Sequence, residues 1–391
     1  MMTNNKVRSD HSNVALPCES ASAPEMSVTR GINETDDPRG IILSPIAGRT
    51  RQRVLYVDNY GGRAVWQKIK AGDLPPHHLR GCLELVRMGY EVVLPEPVTD
   101  FYFWRRPLPH DLVLLPIIRD WLGSDGIVFC GHNVLYWLLI LKKIGIIKCH
   151  VVSHLWAREP LNLARWHSGI VALTPAGAQQ AKLLAPRVNT VTLGWGATLD
   201  VYPRMPYRPE TFFSCGIALR DFRTLSAAAT VWGGPVTVVV PGEIDGVSWS
   251  PNVTVINSGQ GWNFESKRLS YHELLNAYYR RSIASLLILR EDPEEYTAVG
   301  FTELLEVLAM GRPLIMTRTG ALPTQIDVER EGCGLFVPPG DPDALAIAMR
   351  RLADDPEGSA RMARRSRELA ESYYNINRYA RELDTFFLSL G

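Results

Sequence analysis

Glu306 lies in the run GFTELLEVLAMGRP, residues 300–313, whose residue types suit the binding of an anion beside a polyol. Gly300 can open a helix there, and a helix start leaves backbone N–H groups unpaired at the positive end of its dipole. The backbone of Gly300, Phe301 and Thr302 is therefore expected to hold a phosphate. One turn later, the Glu306 carboxylate is expected to accept hydrogen bonds from sugar hydroxyls. Phe301, Leu304, Leu305 and Leu308 recur at helical spacing, which predicts an apolar stripe facing a core. Gly311 suits a left-handed cap and Pro313 stops the helix.

Other residues offer complementary chemistry. Gly216 ends a strand-like run, and Arg220 follows in a loop that brings a fixed positive charge. The capping residue of the next helix is expected to be Asp221. Gly61 and Gly62 follow the first strand and permit close approach of backbone to a ligand. His154 ends the run HVVSH and presents an imidazole suited to a sugar hydroxyl, with a half-buried structural histidine as the alternative. His77 and His78, in LPPHHL, precede the first helix and are read as either touching an acceptor or capping the turn, with neither role chosen. Spacings for a metal site, a nucleophile elbow or a dinucleotide fingerprint are missing, so neither metal nor redox cofactor is expected.

Two successive alternations of strand and helix must position these groups. Strand-like runs at 53–58, 90–94, 126–130, 149–153 and 168–173 are separated by helical patterns, which implies a parallel, doubly wound sheet. Residues 193–203, LGWGATLDVYP, read as a passage between domains. A second alternation has strands at 211–215, 236–240, 284–289, 314–316 and 334–337. Helices are expected over 271–282, from 342 to 352, and through 359–390. Ligands of such sheets bind beyond the carboxyl ends of the strands.

Length and composition agree with this organisation. A chain of 391 residues exceeds one typical core, and 46% hydrophobic with 21% charged residues is ordinary for a soluble globular protein. A net charge of +1 gives no reason to expect a nucleic-acid partner. The six scattered cysteines suit a reducing compartment, and residues 1–28 lack the apolar core of an export signal, so a cytoplasmic protein is expected. VLYWLLILKKIGII, residues 134–147, is read as a buried helix leading into a strand. Its two lysines also allow peripheral contact with the inner face of a membrane.

The segment Glu306, Val307, Leu308, Ala309, Met310, Gly311, Arg312, Pro313 resembles the Glu-Ala-Met-Ala-x-Gly-x-Pro run of retaining glycosyltransferases of family 4, which have the GT-B fold. Residues 193–203 resemble the family's interdomain Trp-Gly segment, and GLFVPPGDPDALA, residues 334–346, is among its recognisable marks. The resemblance implies two Rossmann-like doubly wound domains facing a cleft, with a C-terminal helix crossing back to the N-terminal domain. On this reading residues 1–50 form a flexible extension and 51–205 the acceptor-side domain. Residues 206–372 form the donor domain and 373–391 the crossover helix.

What the resemblance implies for function is metal-independent transfer, with retention, from a nucleotide-diphosphate-sugar to a glycan, lipid-linked or small-molecule acceptor. The donor is a substrate, and no cofactor is implied. Arg220 and the helix start would then stabilise the diphosphate, Glu306 would hold the ribose, and His154 would organise the sugar side. Two positions depart from the family pattern: Ala298 stands where a first Glu is usual, with Glu294 and Glu295 just upstream, and Ile217 stands where an Arg is usual. Those departures motivate a silent sugar-nucleotide-binding protein as an alternative, beside an epimerase on the same fold.

Overall fold

The computed structural model describes residues 27–48, 50–58, 61–95, 110–131, 135–155, 161–216, 218–240, 242, 244–257, 273–291, 299–319 and 326–391. Two sheets organise the chain. The first contains β1 (Ile32–Asp37), β2 (Gly40–Pro45), β3 (Gln52–Val57), β4 (Tyr90–Leu94), β5 (Ile127–Cys130), β6 (His150–Leu155), β7 (Gly169–Ala172) and β8 (Asn189–Thr192), in the order β1-β2-β4-β3-β5-β6-β7-β8. The second contains β9 (Thr211–Cys215), β10 (Val236–Val240), β11 (Val253–Asn257), β12 (Ser282–Leu287), β13 (Leu314–Thr317) and β14 (Gly334–Val337), in the order β11-β10-β9-β12-β13-β14. From β3 onward every pairing within each sheet is parallel. The inner strands, such as β5, β7 and β13, are buried along their whole length because helices cover both sides, whereas the edge strands β1, β8 and β11 are largely exposed.

The order of the second sheet reverses between β9 and β12, and that of the first between β3 and β5. At such a reversal the connections leave toward opposite faces and open a crevice beyond the strand ends. The helices that build these crevices are α1 (Gly62–Ala71), α2 (Cys82–Arg87), α3 (Trp137–Lys143), α4 (Pro175–Leu184), α5 (Phe222–Trp232) and α6 (Phe301–Ala309). The chain ends in α7 (Pro342–Asp354), α8 (Pro356–Ser372) and α9 (Ile376–Leu388). Residues 294, 295 and 298, with the departures they carry, lie outside the described residues, as do 1–26, 217 and the start of the helix expected at 271. What is described of that last segment is a π turn, Leu274–Tyr278, and a short 3-10 turn, Tyr279–Arg281.

Two expectations are corrected. The extension expected through residue 50 contains the antiparallel hairpin β1–β2, which adds to the edge of the first sheet beside β4. INETDD conceals a strand because only Ile32 is buried in it; the strand is instead tied to α1 by Glu34, which accepts from Trp66 Nε1 at 3.0 Å and Lys70 Nζ at 2.7 Å. The helix expected over 359–390 is broken at residues 373–375, where Asn375 Oδ1 accepts from the Arg378 amide at 2.8 Å and caps α9. The apolar run at 134–147 yields the short α3, which buries Leu138 and Leu139. Among the described residues no helix is long and apolar enough to cross a membrane.

The break before α9 lets the chain return to the first sheet. The Ala197 amide donates to Tyr374 O and the Ile376 amide to Ala197 O, both at 2.9 Å, so the outgoing and returning segments run side by side. Helix α9 then packs on the first sheet: Asp384 accepts from Tyr90 Oη at 2.7 Å, and Phe386 fills the space above Gly169. A Cβ on Gly196 would stand 2.2 Å from the Asn375 carbonyl carbon. Gly196→Ala is therefore expected to destabilise the protein by about 1–3 kcal/mol, the usual range for overpacking, read as a lower denaturant midpoint with an unchanged slope.

Candidate functional site

The crevice of the second sheet forms where the loops after β9 and β12 meet. The Asp221 amide donates to Ile288 O at 2.8 Å and the Arg290 amide to Leu219 O at 2.9 Å, so the two loops brace each other. Helix α6 starts from this crevice. Its N-cap, Gly300, has φ 80° and offers no side chain to the first turn, which leaves the early amides without a side-chain cap. Phe301 is buried beneath that turn and Thr302 is half-buried, so the helix start keeps one exposed edge. As the sequence predicted, Asp221 caps α5, accepting from the Thr224 amide at 3.0 Å.

Arg220 sits in the same crevice but is held within the protein. Its Nη2 donates to Glu303 Oε2 at 2.6 Å, Nε to Cys215 O at 3.0 Å and Nη1 to Ala218 O at 2.8 Å. Gly216, at φ 86°, makes this possible, since a Cβ there would stand 2.8 Å from Arg220 Nη2. Burial pushes the Glu303 carboxyl up, against the pull of Arg220 and of Ser285, whose hydroxyl donates to it at 3.2 Å. The family resemblance grouped Arg220 with the helix start expected to hold a phosphate but gave no sign of its ion pair with the first turn of that helix.

Glu306 lies one turn deeper and is 8% exposed. Tyr279 Oη donates to it at 3.1 Å and also contacts Cys215 Sγ at 3.2 Å. Among the described residues no Lys or Arg forms an ion pair with Glu306, and burial raises its pKa to about 8, with the nearby Glu303 adding to the rise. The carboxyl thus carries its proton near neutrality and can donate as well as accept.

Across from Glu306 stand the two histidines whose role the sequence left open. His77 and His78 belong to a short 3-10 helix, Pro76–Leu79, and their ligand atoms lie within 4.8 Å of a Glu306 carboxylate oxygen. His77 is fully buried against the interdomain passage, edge-on to Trp195 at 5.4 Å and stacked on Tyr202 at 6.2 Å. Its Nδ1 accepts from the Thr198 amide at 3.3 Å. Burial holds the His77 imidazole well below its usual pKa, and His78 shifts the same way through burial and then the Arg80 charge. Trp195 also meets Phe301 of α6 at 6.5 Å and lies under the Arg80 guanidinium at 5.1 Å. The only sequence signals were the adjacent histidines and the Trp-Gly passage; neither shows that the 227 intervening residues, 79–305, fold back to join them to Glu306.

The crevice of the first sheet has its own charge pair. Arg80 Nε donates to Asp58 Oδ2 at 3.2 Å, and Tyr56 Oη donates to the same oxygen at 2.7 Å, all three buried. Gly131 leaves room for this cluster, since a Cβ there would stand 2.4 Å from Asp58 Oδ2. Gly61 is the N-cap of α1, and Gly62 packs that helix start against Leu94. His154, expected on the sugar side, is 0% exposed; its Nε2 shares a hydrogen bond with Tyr379 Oη of α9 and its ring meets Phe129 edge-on. Its position at the end of β6 was legible, and the resemblance implied a C-terminal helix on this domain, but not that Tyr379 of that helix would cover the imidazole.

Two expected outcomes follow from these charges. Arg220→Ala leaves Glu303 buried without its cation and should cost about 3–5 kcal/mol, whereas the double change Arg220→Met with Glu303→Met should recover most of the loss in denaturant melts. For Glu306, the folded pKa of about 8 exceeds the ordinary 4.5, so the unfolded state releases its proton first. Stability is then fully present below pH 4.5 and falls as pH rises toward 8. Glu306→Gln should flatten that slope in midpoints compared at pH 5.5 and 8.5.

Comparison with known proteins agrees with this architecture. Residues 239–355 match the family model described as glycosyl transferases group 1. No curated protein sequence matches the chain. Among solved structures, sucrose-phosphate synthase from Thermosynechococcus elongatus superimposes with a TM-score of 0.65 at 15% identity, covering 87% of this chain and 99% of that one. An α,α-trehalose-phosphate synthase (UDP-forming) from Burkholderia vietnamiensis gives 0.62 at 11% identity, over 86% and 99%. Anabaena HepE in complex with UDP-glucose gives 0.57 at 16% identity, over 87% and 100%. The chain therefore has the two-domain GT-B fold of these glycosyltransferases, and its residues 239–355 are similar to the group 1 glycosyl transferase family.

Proposed function

We propose that the chain transfers a sugar from a nucleotide-diphosphate-sugar to an acceptor held between the two sheets. The observation that carries this reading is the placement of α6. Its uncapped start opens at the reversal point of the second sheet, with Glu306 one turn below and His77 and His78 opposite. A diphosphate seated on the Phe301 and Thr302 amides would receive the positive end of the helix dipole, which stabilises the charge left when the glycosidic bond breaks. Glu306, within one turn, would hold ribose hydroxyls as donor or acceptor.

The buried Arg220–Glu303 pair fixes the first turn of α6 and contributes no net charge, so the helix start and the neutral histidines carry the donor contacts. In this reading His154 secures α9 to the first sheet and acts on the site through that packing. Retention without a metal remains part of the proposal: the leaving phosphate would take the acceptor proton on the face it departs from. A glycan, lipid-linked or small-molecule acceptor would enter from the side of the first sheet. Arg220 neutralised by Glu303 favours one second reading, a protein that binds the sugar nucleotide without turnover.

A thermal-shift series with UDP-, GDP- and ADP-sugars should raise Tm for one base, since a ligand of the folded state stabilises it by mass action. Glu306→Ala should weaken that nucleotide's affinity at least tenfold, and equal affinity in the variant would sink the assignment. Donor binding with neither transfer nor hydrolysis across an acceptor panel would select the silent reading.

A further inference from the structure

The structure brings His77, His78 and Glu306 together from distant parts of the chain. We propose that these three side chains form a binding site for a divalent transition metal of the zinc kind, joining the two halves of the molecule. Their ligand atoms all lie within 4.8 Å of one another. Ligands on a tetrahedral zinc, with bonds of about 2.0–2.2 Å, stand roughly 3.3–3.5 Å apart, so an inward movement on the order of 1 Å completes three corners. Two imidazoles and one carboxylate are also the donor set of zinc sites that keep a fourth position open. His78 is half-buried, which leaves an entry path on its side.

Two orphaned polar atoms support the site independently of its composition. His77 Nε2 and Thr198 Oγ1 are both buried with no hydrogen-bond partner. Because the Thr198 amide donates to His77 Nδ1, the metal-free ring carries its proton on Nε2, where nothing receives it. Coordination through Nε2 moves that proton to Nδ1, which breaks the bond from the Thr198 amide to the ring; rotation of Thr198 about χ1 then offers its hydroxyl as acceptor in the amide's place. One metal ion thus gives both side-chain atoms a partner at the expense of the amide's bond to the ring, and the Thr198 hydroxyl becomes the group that orients the ligating imidazole. The site does not require sugar transfer; where Glu306 does hold ribose, metal and donor compete for it.

The test is a titration of the metal-free full chain with Co2+ followed by absorbance, and with Zn2+ against a chelator. One ion per chain is expected, with four-coordinate d–d bands and no thiolate charge-transfer band. His78→Ala and Glu306→Gln should each lose at least 100-fold in affinity, and Thr198→Val about 10–100-fold with recovery in Thr198→Ser. Circular dichroism of each apo variant confirms folding, and His78→Gln replaces His78→Ala if the latter unfolds. Absent stoichiometric binding, a thiolate band, or unchanged affinity in the variants would each overturn the site. Loss of UDP-glucose binding with cobalt binding intact would count only against the sugar-donor reading.

Discussion

Two chain segments cross between the halves of this protein side by side, and the backbone hydrogen bonds between Ala197 and residues 374 and 376 join them. That junction fixes where α9 returns to the first sheet and where Trp195, Thr198 and Tyr202 stand. His77 is seated against those three residues, so its position opposite Glu306 depends on the crossing. Gly196 is required there because the two backbones approach too closely for any Cβ. A displacement of the junction would reach the site through packed rings, which deform little.

Charge is managed differently on the two sides. Each crevice contains a buried ion pair, Asp58 with Arg80 in the first sheet and Arg220 with Glu303 in the second. Such pairs gain little net stability, but each fixes a loop at the point where the strand order reverses. Glu306 is the contrasting group: buried, bonded to Tyr279 and raised to a pKa of about 8. A carboxyl kept protonated beside two neutral imidazoles can respond to whatever enters, whether a hydroxyl, a phosphate oxygen or a cation.

Much of the fold was legible in the sequence. Apolar runs such as VTVVV and LIMT can only be strands covered on both faces, and the Gly-x-Pro stop after α6 marks its end. The hairpin at β1–β2 was not legible, since a strand with one buried residue has no alternation to read. Nor was the break before α9, because Tyr373, Tyr374 and Asn375 carry no strong breaker, and only the crossing accounts for it. Of the candidate site, Glu306 and the start of α6 were visible through local chemistry. Arg220 was visible as a residue but not as half of an ion pair, and for His77 and His78 the sequence offered an acceptor contact or a turn cap but not their place opposite Glu306.

By itself, then, the sequence determined what depends on neighbours a few residues away: the strands, the caps, the uncapped start of α6 and the carboxylate one turn inside it. Tertiary structure decided everything that depends on contact between distant segments. It buried Glu306 without a cation, turned Arg220 inward, covered His154 with Tyr379, and set two histidines against a carboxyl 228 and 229 positions away. The physical reason is that helix and strand formation follow local periodicity, whereas burial, ionisation and ligand geometry are set by which surfaces the double crossing brings together.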